Sequence, residues 1–421
     1  MRNAIRSSLL SAALFAAASP AFAAVNCSGD NDGQRLIFTG TPGKQILNLT
    51  INGSGAITAE LDCNGNGLFV DTAAGDINGE SFGIEDQIYI ALKGNDTITI
   101  TQTGAWTGQK KDFQALLGIG TNSLSYNSNG FAIGANSRIA FEVTGGTGVD
   151  TVDLAFAGNA VSQSSILIRA DLGNGNDVMS LELPATSSTG RLNADVTLGV
   201  GTNVFTMTQG VAITAGEVNL EVEGSTGRET ITLNPTKVAG GRMRINALLG
   251  GGNDTYTANL DLALLDLTAN GELFLAADGG GGNDILTVTR NASTASTTQI
   301  VAASDLDMRL GGGIGNDKLS VDLGGGGINL FTNGTIRLRA DAGAGNDVVS
   351  VLFDSNGAGR YDATVTGGAG NDSLSATHNA TGTSPSYLQG AVILDGGLGT
   401  GDKCTIAGSS ASSLHLLNCE Q

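Results

Sequence analysis

The sequence predicts an all-β protein, a single right-handed parallel β-helix (β-solenoid) of about 14 coils of about 28 residues. Three observations carry this expectation. First, a glycine-rich turn recurs, clearest as Asp278-Gly279-Gly280-Gly281-Gly282-Asn283-Asp284, Gly312-Gly313-Ile314-Gly315-Asn316-Asp317 and Gly367-Gly368-Ala369-Gly370-Asn371-Asp372. Second, apolar and polar residues alternate on both sides of these turns, in a register fixed to the turn. Third, 64 of 421 residues are glycine while aromatics make up only 5%. Repeat arrays grow by stacking small units rather than by adding large cores, and small aliphatic side chains suit that.

The repeat is read by taking the last residue of each turn as position zero. The equivalent residues are Asp96, Asn122, Asp150, Asp177, Asn203, Glu229, Asp254, Asp284, Asp317, Asp347, Asp372 and Asp402, with weaker copies at Gln45 and Gly67. Two and four residues after zero the chain is apolar, as in Leu286 and Val288 or Leu319 and Val321. Eleven, nine and seven residues before zero it is apolar again, as in Ile139, Phe141 and Val143 or Leu273, Leu275 and Ala277. Alternation with period two is the mark of a strand with one buried face. Each unit therefore reads strand, turn, strand and a variable Ser/Thr/Asn/Gly-rich segment that would hold a third, less defined strand. One such pair cannot bury its face alone, but stacking in register does so, and the crossover rule makes the winding right-handed. Fourteen coils at roughly 4.8 Å each give a rod about 65 Å long. A β-propeller would need blades of about 40–50 residues, and the repeat here is too short.

The ends of the chain read differently. Residues 1–23 have the pattern of a secretory signal peptide: Arg2 and Arg6, an apolar run from Leu9 to Ala18, and Ala21-Phe22-Ala23 as a cleavage site. The apolar run is too short to span a bilayer, and no later segment is long enough either. The expected mature chain is residues 24–421, secreted, periplasmic or on the cell surface. Loss of the two arginines takes its net charge from −19 to −21. Cysteines lie only near the ends, Cys27 with Cys63 and Cys404 with Cys419. In an oxidising compartment they are expected as two disulfides that close the first and last coils against fraying.

The turn carries the chemistry. It resembles the calcium-binding nonapeptide of the repeats-in-toxin (RTX, hemolysin-type) family, Gly-Gly-x-Gly-x-Asp-x-apolar-x, with full matches beginning at Gly145, Gly279, Gly312 and Gly367. The resemblance implies calcium held between stacked turns by carbonyls and by Asp150, Asp284, Asp317 and Asp372, with Asp177, Asp254 and Asp347 in near-matches. Here one nonapeptide occurs per coil, where the family runs them in tandem. Independently of the resemblance, calcium takes six to eight oxygens, and glycines let several carbonyls face one point. Six residues before zero a second carboxylate often recurs, at Asp171, Asp278, Asp341 and Glu223. A calcium column is expected along the C-terminal coils from Asp254 to Asp402, with at most an isolated site between Asp150 and Asp177. The alternative is a metal-free ladder in which Asn253, Asn283, Asn316, Asn346 and Asn371 bond up and down the column.

Composition excludes some functions. A chain this acidic repels nucleic acid and anionic surfaces. No Gly-x-Ser-x-Gly elbow, zinc cluster or phosphate loop is present. A local exception is Trp106 with Lys110, Lys111 and Asp112. The expectation is an exported, non-enzymatic calcium-binding rod with a structural or adhesive role, its possible partners being calcium and surface or matrix polysaccharide. The rival is a carbohydrate-active β-helix enzyme, which a groove of basic residues facing acids would favour.

Overall fold

The structure is a computed structural model of the 421-residue chain. It describes all residues except 1–26, 32–34, 71–75, 157–160, 188–189, 261–265, 269, 291–298, 301–303, 331–333, 358, 381–390, 409–412 and 421. The signal-peptide reading therefore lies outside the described residues. Among them there is no helix, and none long and apolar enough to cross a membrane.

The chain forms a parallel β-solenoid. A column of leading strands precedes the turns and runs from Arg35–Pro42 to Ser413–Leu417, nearly every strand pairing in parallel with the next coil. A column of trailing strands follows the turns, from Ile46–Ile51 to Lys403–Gly408. The registers align position zero of each coil with position zero of its neighbours. Leu286, Leu319, Val349 and Leu374 are direct partners in successive coils and are all buried, so the expected inward stack is present. The third side is thinner than a strand per coil. It consists of isolated bridges such as Trp106 with Ile133 and Ile213 with Val238, and of short pieces such as Lys237–Ala239 paired with Asp266–Thr268.

The coil count is lower than the sequence reading. The twelve position-zero residues from Asp96 to Asp402, plus Gln45, head thirteen stacked trailing strands. The unit assigned to Gly67 is not a coil. Strand Ile46–Ile51 pairs directly with Thr97–Gln102, and the residues between them contribute Ile57–Asp62, antiparallel to Ile46–Ile51, and Ile77–Gly83, antiparallel to Ile57–Asp62. The reason lies in the order of residues: here the Asp precedes the glycines. Asp62 is buried, and its carboxylate accepts from the N–H groups of Asn64, Gly65 and Gly67. The loop thus curls around its own Asp and does not stack on a neighbour. The antiparallel hairpin closes the N-terminal end, burying Ile57, Ala59, Leu61 and Ile77. Such a cap occupies the edge that a parallel ladder would leave open.

At the other end Cys404 and Cys419 form the expected disulfide, with Cα atoms 5.6 Å apart. Cys63 is disulfide-bonded as well. The side chain of Cys27, its expected partner, lies outside the described residues.

Candidate metal centre

In the C-terminal coils the turn is shaped by glycines at two fixed positions. There the residues four and two before zero have positive φ, for example Gly280 (86°) and Gly282 (134°), or Gly343 (101°) and Gly345 (148°). L-residues avoid this region, and stacking adds a second constraint. A Cβ on Gly282 would lie 1.3 Å from the carbonyl oxygen of Gly252 in the preceding coil. Substitution Gly282→Ala is therefore expected to destabilise the rod by about 2–3 kcal/mol, measured by denaturant unfolding. A change below about 0.5 kcal/mol would contradict this backbone geometry.

Two side-chain ladders run through the stacked turns in opposite directions. On the inside, the backbone N–H of position zero donates to the Oδ1 of position zero in the next coil. Asp254 donates to Asp284, Asp284 to Asp317, Asp317 to Asp347, Asp347 to Asp372 and Asp372 to Asp402, at 2.7–2.9 Å. On the outside, the preceding Asn donates back: Asn283 N–H to Asn253, Asn316 to Asn283, Asn346 to Asn316 and Asn371 to Asn346. These ladders satisfy backbone N–H groups in the turn, where the strand ladder is interrupted. The Asp ladder also continues upstream, with Gln45 donating to Asp96, Asp150 to Asp177, Asp177 to Asn203 and Glu229 to Asp254.

The inner ladder uses only one carboxylate oxygen. The other oxygen of Asp96, Asp177, Glu229, Asp254, Asp284, Asp317, Asp347 and Asp372 is buried without a hydrogen-bond partner. These side chains are at most 2% exposed. Burial lifts the carboxyls of Asp96, Asp177, Asp284 and Asp347 from 3.8 to about 6. It also raises those of Asp150, Asp254, Asp317 and Asp372. Glu229 is pushed up by burial and then by its neighbour Asp254. Asp150 differs from the rest: its Oδ1 accepts from Asn122 Nδ2 and its Oδ2 from the Gly146 N–H, so both of its oxygens have partners.

In three of the turns the glycine five residues before zero lies between the unpartnered oxygen and a backbone carbonyl of the next coil. A Cβ on Gly312 would meet Asp317 Oδ2 at 2.7 Å and the Ala342 carbonyl of the next coil at 2.3 Å. Gly279 and Gly367 stand the same way between Asp284 Oδ2 and Gly312 O, and between Asp372 Oδ2 and Gly396 O. Asn203 is an internal control. Its Oδ1 accepts from Asp177 like the Asp side chains, while its Nδ2 donates to Gly199 O at 3.1 Å. The amide thus places a donor where Asp177, Asp254, Asp284, Asp317, Asp347 and Asp372 leave an oxygen unmet. A hard cation fits this donor set of carboxylate and carbonyl oxygens. No cluster of three or more His, Cys, Asp or Glu able to hold a metal occurs among the described residues. A cation here would rest on carbonyls with one carboxylate oxygen from each turn.

The sequence candidates fall into two groups. Asp150, Asp177, Asp254, Asp284, Asp317, Asp347, Asp372 and Asp402 are all buried in the inner column. Asp171, Asp278 and Asp341 are exposed on the outer face instead. Asp171 and Asp278 cap their own turns from outside, accepting from the N–H groups of Gly173 and Gly280. Asp96 and Glu229 carry orphaned oxygens but were not in the candidate set; their position-zero register was the available signal. The cluster at Trp106 is divided by the fold. Trp106 is in the core with Nε1 donating to Asn52 O, and buried Lys111 bonds Glu85 O.

No family model, curated protein or solved structure matches the chain.

Proposed function

We propose that the protein is an exported, non-enzymatic calcium-binding β-solenoid whose rod provides a structural or adhesive surface. The observation that carries the reading is the row of buried carboxylate oxygens without partners, with a backbone carbonyl of the next coil close by at Asp284, Asp317 and Asp372. The oxygens of Asp254, Asp284, Asp317, Asp347 and Asp372 would hold calcium, together with carbonyls such as those of Gly312, Ala342 and Gly396. Bound calcium supplies positive charge that offsets the buried negative charge between coils. The leader at residues 1–23 and the terminal cysteines support export. The repetition of the carboxylates in coil after coil supports a structural role; the one observation on the side of the rival carbohydrate-active enzyme is the row of leading-strand arginines that face acids such as Glu272 and Asp362.

The test is calcium binding by the purified secreted chain at pH 7.5, measured by equilibrium dialysis. Several ions per chain are expected, with fewer in Asp284→Asn and Asp347→Asn. Less than one ion per chain at millimolar calcium would sink the proposal. A second reading has one observation in its favour: the two ladders meet the backbone N–H groups of the turn without any metal. In that reading the ladders alone hold the turns and the chain ignores calcium.

A further inference from the structure

Of the chain's 14 arginines, ten lie on leading strands at outward positions. This concentrates the positive charge of an acidic protein on one face. The same face carries a series of shallow, open depressions. Five groove sections lie on it, and the first four overlap from coil to coil, through Leu167, then Arg244 and Phe274, then Arg309. We propose that this groove binds an extended, uncharged polysaccharide chain lying along the rod axis.

The shape argues for a polymer. An open trough that crosses many coils offers no enclosed pocket for a small molecule but gives a linear chain repeated contacts. The charges argue for an uncharged one. Fourteen carboxylates share the rows of the ten arginines, and several are paired: Arg242 with Glu272 at 2.5 Å, Arg309 with Asp307 at 3.0 Å, Arg360 with Asp362 at 2.6 Å. A polyanion laid in the trough would face these acids as well as the arginines, and the rest of the molecule is strongly negative. Sugar hydroxyls, which both donate and accept, can use both members of each pair.

The middle of the groove offers the remaining chemistry. Asn219 donates to Asn193 in a short amide ladder, and Asn246 stands on the same face. Half-buried Phe274 presents an apolar platform in line with Arg244 and Asp307 of the neighbouring coils. The guanidinium of Arg309 stacks on its ring at 4.9 Å, which fixes its orientation. Arg244 is exposed and makes no ion pair among the described residues, so its planar donors are available. An aromatic ring beside fixed planar polar groups suits the apolar faces and hydroxyl rims of a sugar ring.

The groove is on the outside and the carboxylate column on the inside, so neither proposal requires the other. The test uses the purified secreted chain in calcium, titrated calorimetrically with soluble linear glucan, mannan and xylan, a polyuronate and a sulfated glycan. At least one neutral glycan should bind at least tenfold more tightly than either polyanion. Phe274→Ala and Arg244→Ala should each weaken that binding at least fivefold while leaving melting temperature and calcium stoichiometry unchanged. Tighter binding of a polyanion, no binding of any neutral glycan at millimolar sugar, or unchanged affinity in both variants would overturn the proposal. So would self-association that these variants abolish, which would give the face to a second copy of the chain. Glycan binding that survives in a chain taking no calcium would remove the calcium reading and leave this one standing.

Discussion

Excess chelator at pH 8 is expected to lower the melting temperature of the calcium-loaded rod by on the order of 10 °C or more. A ligand that binds only the folded chain stabilises it by ~4 kcal/mol per site at a thousandfold excess over its dissociation constant. The column from Asp254 to Asp402 offers several inter-coil spaces, so the contributions accumulate. Removal leaves ionised, buried oxygens stacked coil upon coil without a counter-charge. Differential scanning calorimetry in chelator and in millimolar calcium measures the shift. Equal melting temperatures would leave the metal-free ladder as the better account.

The pH dependence in chelator has the opposite sign from the one usual for acidic groups. Asp96, Asp177, Asp284 and Asp347 hold protons more tightly when folded, at about 6 against 3.8. The folded chain therefore binds more protons than the unfolded one between these values. Stability from these groups is fully present below about pH 4 and is lost as pH rises through 6, by ~3 kcal/mol for each. The chelated rod should melt higher at pH 5 than at pH 8. Calcium requires ionised ligands, so its presence should reverse that order. A chelated rod more stable at pH 8 than at pH 5 would contradict the buried, partnerless carboxyls.

The repeat made the fold legible, because register is a property of sequence spacing. Leu286, Leu319, Val349 and Leu374 share an offset from their turns, and a solenoid turns equal offsets into direct contact. The exception shows what spacing omits. The stretch from Asp62 to Gly67 has the right composition for a turn, but Asp62 comes first and gathers the N–H groups onto itself. The candidate site was legible as a column of Asp residues, and so were its two faces. Alternation that buries Ala277 and Leu286 already sends Asp278 outward and Asp284 inward, so the expectation that both carboxylates share one ion conflicts with the register itself. Spacing also cannot show that Asp uses one oxygen on a backbone N–H and leaves the other unmet. The arginine face was hidden for a different reason: a net charge of −19 averages over the surface, while alternation within the leading strands places ten arginines on one side of it.

Asp284→Asn is expected to change sign with calcium. The substitution preserves both ladder bonds, because an amide oxygen can still accept from Asp254 and the backbone N–H still donates to Asp317. It replaces the orphaned oxygen with a donor, and Asn203 shows what that donor does, bonding the carbonyl four residues earlier in its own turn. In chelator at pH 8 the variant therefore loses a buried uncompensated charge and gains a hydrogen bond, and should be more stable than the natural chain by ~3 kcal/mol. In millimolar calcium the same change removes an anionic ligand from between the coils, and the variant should be the less stable of the two. At pH 4 in chelator, with the natural carboxyl protonated and able to donate, the two should nearly coincide. Denaturant unfolding in the three conditions gives all three comparisons. If the variant were destabilised equally in chelator and in calcium, the ion would play no part at this turn and Asp284 would act through packing alone.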